Sequence, residues 1–107
     1  MKKDINDDRK FLIQRLGYFR NQANMSAREL SGRLGCSEGY IGKYELGLIN
    51  MPSEVLLDVM KILNVSPEKF FSKNPEKFDE HKDLIDSFER LSEENKKLAK
   101  AIIKALS

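Results

Sequence analysis

Ser26 to Glu45 reads SARELSGRLGCSEGYIGKYE, two short helical patterns with only Gly35-Cys36-Ser37 between them. Ser26 is placed to cap the first helix, Glu29 three residues on would complete a capping box, and Met25 before the cap would staple against Leu30. Gly35 stops that helix, because the residue just past a helix end is often left-handed and glycine adopts that conformation without Cβ strain. Ser37 is predicted to start the second helix, with Cys36 and Ile41 at its staple positions. Ser31 supplies a small side chain where helices joined by so short a turn must approach closely. The turn forces the second helix to lie at a steep angle to the first.

The flanking pattern is helical throughout. Leu12, Leu16 and Phe19 recur at helical spacing in an opening helix from about residue 7 to 22. After a loop from Leu46 to Met51, Leu56, Leu57, Met60 and Leu63 mark a fourth helix near 53–63. Ser66 then caps a short fifth helix, with Pro67 in the first helical position and Val65 able to staple to Phe70. Ser72-Lys73-Asn74-Pro75 reads as a boundary, since an asparagine before proline is pushed out of the helical region. It divides residues 1–72 from residues 73–107. In the second piece Phe78, Leu84, Ile85, Phe88 and Leu91 form one apolar stripe. Ser92 caps a last helix with Leu98, Ile102, Ile103 and Leu106 on its apolar side, so 78–107 is expected to be a helical hairpin.

The composition of the 107 residues excludes several classes. No apolar run approaches the ~20 residues needed to span a bilayer, and MKKDINDDRK has no apolar segment behind its lysines, so a cytoplasmic protein is expected. One cysteine rules out an internal disulfide framework, and one histidine leaves no ligand set for zinc. Neither metal nor cofactor is expected. No nucleophile–base motif or phosphate-binding glycine loop suggests an enzyme, and Cys36 reads as a small apolar residue. Net charge is only +2, so its distribution carries more information than its sum. Arg9, Lys10, Arg15, Arg20, Arg28, Arg33 and Lys43 give the first three helices a basic excess, while the chain beyond Asn74 has slightly more acid than base. A basic half facing DNA and a second half facing a partner would produce this asymmetry; so would a mixed solvated surface.

The stretch from about Leu12 to Phe71 resembles the Cro/phage-repressor class of helix-turn-helix domains, the Xre family. The resemblance rests on Leu12, Leu16 and Arg20, on SARELSGRLG and SEGYIGKYELG, on Met51-Pro52-Ser53, and on LNVSPEKFF. It implies an all-α fold, a five-helix lambda-repressor-like domain followed by the hairpin. It also implies a recognition helix, Ser37 to Glu45, that enters the DNA major groove. Ile41 and Tyr44 resemble the family's core positions. Arg28, Ser37, Glu38, Gly39, Tyr40, Gly42 and Lys43 are then the residues facing double-stranded DNA. Lys43 would donate to guanine O6 or N7, Glu38 would accept from cytosine N4, and the Ser37 and Tyr40 hydroxyls suit phosphate oxygens. Each has a plainer reading: Glu38 complementing the helix dipole, Lys43 a solvated charge, Tyr40 packing at the surface.

Two departures from the family pattern affect those expectations. Ala27 stands where many relatives have a phosphate-anchoring glutamine, and Leu46-Gly47-Leu48-Ile49 replaces a stretch usually polar and basic. The loop could touch DNA, cover the core or meet a protein. Arg20 and Glu45 match a pair that in the family joins the first helix to the end of the recognition helix.

These features predict a sequence-specific transcriptional regulator, a repressor that binds a palindromic operator as a homodimer and is controlled by a partner protein, its own level or degradation. Phe78, Leu84, Ile85, Phe88, Leu91, Leu98, Ile102 and Leu106 are more apolar side chains than a lone hairpin covers, and they are the expected dimer interface. The alternative is a protein-binding module, an antitoxin or adaptor, that kept the fold and lost strong DNA affinity.

Overall fold

Leu16, Leu30, Ile41, Val59 and Phe70 are fully buried, one from each of five consecutive helices, and they define where the chain converges. The computed structural model describes residues 2–107, with side chains from residue 6 onward. Those five helices are α1 (Lys2–Gln22), α2 (Ala27–Arg33), α3 (Tyr40–Glu45), α4 (Ser53–Ile62) and α5 (Pro67–Phe70). The chain separates into two compact units, Met1–Ser72 and Lys73–Ser107. No strand occurs among the described residues, so the fold is all-α. Phe19, Met25, Tyr44, Met60 and Leu63 complete the core of the first unit. The opening helix begins at Lys2, earlier than the apolar spacing predicts, because its extra turns are polar and carry no periodic signal.

Four successive helices end in one way. Asn24, Gly35, Gly47 and Asn64 have φ of 53°, 75°, 76° and 57°. The amide after each folds back onto its helix: Met25 N–H donates to Arg20 O (3.2 Å), Cys36 to Ser31 O (3.0 Å), Leu48 to Lys43 O (2.9 Å) and Val65 to Met60 O (2.9 Å). Each left-handed residue reverses the chain within two positions and satisfies carbonyls the helix leaves open. Glycine and asparagine are the residues that tolerate this conformation.

Helix starts are less uniform. Ser26, Ser66 and Ser92 each accept the amide three residues on, from Glu29 (3.0 Å), Lys69 (3.1 Å) and Asn95 (3.2 Å). Glu29 does not complete a capping box; its carboxylate pairs with Arg33 one turn later, at 2.9 Å. Ser37 does not cap α3 either. Its carbonyl accepts the Tyr40 amide in a tight turn, and the helix begins at Tyr40 with Gly39 in the cap position.

The second unit has a 3-10 turn (Pro75–Lys77), α6 (Phe78–Glu89) and α7 (Glu93–Leu106). The Phe88 ring lies beneath the ammonium groups of Lys96 (5.9 Å) and Lys100 (5.8 Å), and Lys96 reaches Glu89 at 3.5 Å. Leu84, Ile85, Leu91, Leu98, Ile102, Ile103 and Leu106 are all exposed, while Phe78 and Phe88 are half-buried.

Candidate nucleic-acid interface

A six-residue helix containing a glycine does not hold its own shape in water. What fixes α3 comes from its neighbours. Ile41 and Tyr44, three apart, bury one face completely or nearly so. At the start of the helix the cap residue Gly39 has no side chain to offer the open amides. The fully buried Ser31 of α2 supplies the bond: its Oγ donates to Ala27 O (2.8 Å) and accepts the Ile41 N–H (3.0 Å). At the other end Glu45 takes two bonds from Arg20, Nε to Oε2 at 2.7 Å and Nη2 to Oε1 at 2.9 Å. Arg20 Nη1 also donates to Met25 O at 2.9 Å, so a single guanidinium ties α1 to the turn that leads into α2 and to the end of α3. The bonds to Glu45, set against partial desolvation, hold the Arg20 pKa above its ordinary value.

Opposite the buried face, Ser37, Glu38, Gly39 and Lys43 are exposed, and Tyr40 and Gly42 are half-buried. The Lys43 side chain is exposed, and its ammonium makes no ion pair or hydrogen bond among the described residues. Arg28 on α2 reaches across to Glu38, Nη2 to Oε1 at 2.9 Å, with both side chains about three-quarters exposed. The two expected contact residues therefore occupy each other until a ligand competes. Burial pushes the Tyr40 phenol up, with Cys36 adding a smaller push in the same direction. A Cβ added at Gly42 would meet nothing within 4 Å, and one at Gly39 would meet only the Lys43 side chain at 3.8 Å. The outer face of α3 is thus low and open.

The basic excess is less available than the sequence implies. Arg9 donates from Nη2 to the carbonyls of Gly47 (2.7 Å) and Ile49 (3.0 Å), which fastens the loop after α3 to α1. Arg15 donates from Nη1 to Phe70 O (2.7 Å) and Ser72 O (2.6 Å) and lies over the Phe11 ring at 4.6 Å. With Arg20 that makes three arginines acting as internal braces and not as part of a DNA-facing charge. The loop that Arg9 holds divides its apolar residues: Ile49 packs against the core, whereas Leu46 and Leu48 are 76% and 68% exposed. Among the described residues no cluster of His, Cys, Asp and Glu could hold a metal ion, and no helix is long and apolar enough to cross a membrane.

A family model described as helix-turn-helix, the DNA-binding domain of Cro/C1-type (Xre-like) regulators, matches residues 16–70, just over half of the chain. The matched span opens at buried Leu16, contains α2, α3 and α4 whole, and closes at buried Phe70. No curated protein and no solved structure matches the chain.

Proposed function

Because the chain belongs to the helix-turn-helix family of Cro/C1-type regulators, whose domain binds DNA, we propose that it represses transcription by occupying a palindromic operator as a homodimer. The observation that carries this reading is the bracing of α3. Its start is held by Ser31 and its end by Arg20, so no bond that orients it uses the outer face. Lys43 is then available to guanine O6 or N7, Glu38 to cytosine N4, and the Ser37 and Tyr40 hydroxyls with Arg28 to phosphate oxygens. Repression needs only occupancy of the site. One small domain makes few phosphate contacts, whereas two copies related by a two-fold axis present two recognition helices about 34 Å apart on one DNA face. The apolar faces of α6 and α7 supply the contact between copies, and a partner protein, protein level or degradation supplies control.

A mobility-shift titration against the DNA upstream of the protein's own gene, repeated at several salt concentrations, tests the reading. Binding tighter than to a scrambled duplex, and weakening steeply as salt rises, is the expected result. Equal affinity for both duplexes would overturn it. That outcome would favour the second reading, a protein-binding module, which draws its support from exposed Leu46 and Leu48 beside α3.

A further inference from the structure

Arg28 and Glu38 form an ion pair unlike the one that braces α3. Arg20 and Glu45 share two bonds in a shielded place, whereas Arg28 and Glu38 share one, Nη2 to Oε1 at 2.9 Å, with both side chains about three-quarters exposed. Arg28 Nε and Nη1 and Glu38 Oε2 make no other hydrogen bond among the described residues. The pair joins α2 to the turn before α3, yet it is not what holds them together. Ser31 does that, through its buried bond to the Ile41 amide. Opening the exposed pair therefore leaves the setting of α3 intact, and such a pair is worth little to the fold.

We propose that this pair couples base reading to phosphate binding by exchanging partners: when Glu38 meets the N4 amino group of a cytosine it gives up Arg28, which then binds a phosphate. In helix-turn-helix docking the first helix crosses the DNA backbone and the start of the second meets base edges. Arg28 stands on the former, and Glu38 lies in the turn that leads into the latter. Over guanine O6 and N7 or thymine O4, an unpaired carboxylate loses its hydration and gains no donor in return. There Glu38 keeps Arg28, and a guanidinium offset by its carboxylate adds little to the attraction for phosphate. Over cytosine the N4 amino group replaces the guanidinium, and Arg28 turns its donors to a phosphate oxygen. Adenine N6 is also a donor, but the N7 acceptor beside it faces the second carboxylate oxygen. Glu38 thus weakens binding to wrong sequences as well as strengthening binding to the right one.

The proposal rests on the DNA-binding reading above, and salt titrations of full-length protein on single-base variants of the bound upstream duplex separate the two. Where the cytosine under Glu38 is replaced by guanine or thymine, the parent's salt slope is expected to fall by about 1 per copy bound, and at other positions to stay unchanged. Glu38→Gln frees Arg28 on every sequence. Its slope should be equally steep on all duplexes, and its affinity for the scrambled duplex should rise about two- to fivefold per copy, the worth of an exposed pair. That rise is expected to vanish when Arg28→Ala is added, whereas simple relief of repulsion between carboxylate and phosphate would persist without Arg28. Both side chains are exposed, and surface substitutions of this kind leave stability nearly unchanged. A parent slope that is the same on every single-base variant would overturn the exchange while leaving sequence-specific binding standing. So would a Glu38→Gln gain that is absent or that survives Arg28→Ala. Equal parent affinity for the upstream and scrambled duplexes would overturn both.

Discussion

Ser31 Oγ accepts the Ile41 N–H at 3.0 Å, so the open amide at the start of α3 is capped by a side chain of α2 and not by α3's own preceding residue. Ser31 is fully buried and donates its proton to Ala27 O, which leaves the hydroxyl with a bond in each direction. Ser31→Ala leaves a buried N–H without a partner, a cost of about 1–3 kcal/mol. Denaturant melts should register that loss. A variant within a few tenths of a kcal/mol of the parent would show that the bond contributes little to the fold.

Arg20 and Glu45 meet through two charge-assisted bonds at 15% and 21% exposure, shielded enough from water for the pair to act as a unit. Either alanine substitution should destabilise the domain, and the double mutant should cost less than the two singles together. The expected coupling is about 0.5–3 kcal/mol. Additive losses in a double-mutant cycle would place the pair among surface charges of little worth.

Local chemistry was legible in the sequence, and contacts made across the fold were not. Gly35 as a helix stop and Ser26, Ser66 and Ser92 as caps depend on neighbours three or four residues away, and Ile41 and Tyr44, three apart, match the core positions that the family resemblance implies. Only the family resemblance links Arg20 to Glu45 in the sequence, because nothing within one turn of either points to the other. Arg9 and Arg15 looked like DNA-facing charge, since their carbonyl partners lie 38 to 57 residues along the chain. Ser37 reads as a cap from its neighbours, yet the cap position falls to Gly39. A serine before a helix suits that role, but the tight turn at Ser37–Tyr40 delays the helix and hands the role to Ser31. The left-handed Asn24, Gly47 and Asn64 were readable in principle, because Gly or Asn just after an apolar helical run is a stop signal.

Gly42 separates folding from DNA contact. An added Cβ meets nothing within 4 Å, and alanine is favoured over glycine inside a helix by about 1 kcal/mol. Gly42→Ala should therefore melt at or above the parent's denaturant midpoint. Its methyl would project from the face assigned to DNA, and operator affinity should fall by about tenfold or more, the scale of one spoiled base-pair contact. Unchanged affinity would mean that DNA does not approach the α3 backbone at this point.

Tyr44 gives the fold an alkaline limit. The side chain is 4% exposed, and its burial pushes the phenol above its ordinary value of 10.0, with nearby Arg9 opposing and Tyr40 adding. A group whose pKa is raised by folding contributes stability that is whole below its unfolded pKa and is lost as pH rises through the folded one. Stability should therefore decline above about pH 10. Tyr44→Phe, whose lost hydroxyl makes no hydrogen bond among the described residues, should match the parent near neutrality and outlast it at high pH. Parallel alkaline melts of the two proteins would expose the idea as wrong if the curves stayed a constant distance apart.

Lys43 is the exposed cation of α3 and, unlike Arg28, has no carboxylate to leave when DNA arrives. Two kinds of contact leave different signatures. If its ammonium reads guanine, Lys43→Ala should relax discrimination at one base pair of each half-site by ~1–3 kcal/mol while other positions keep theirs. If it holds a phosphate, all sequences should weaken alike and the salt slope should fall by about 1 per copy. A binding series over single-base operator variants at two salt concentrations distinguishes them, and the arrangement of α3 favours the first. Lys43 stands one turn in from Gly39 on the face between two glycines, where little else of the helix projects far enough to reach a base edge. A substitution that alters neither discrimination nor salt slope would remove Lys43 from the interface and shift the reading of bases to Glu38.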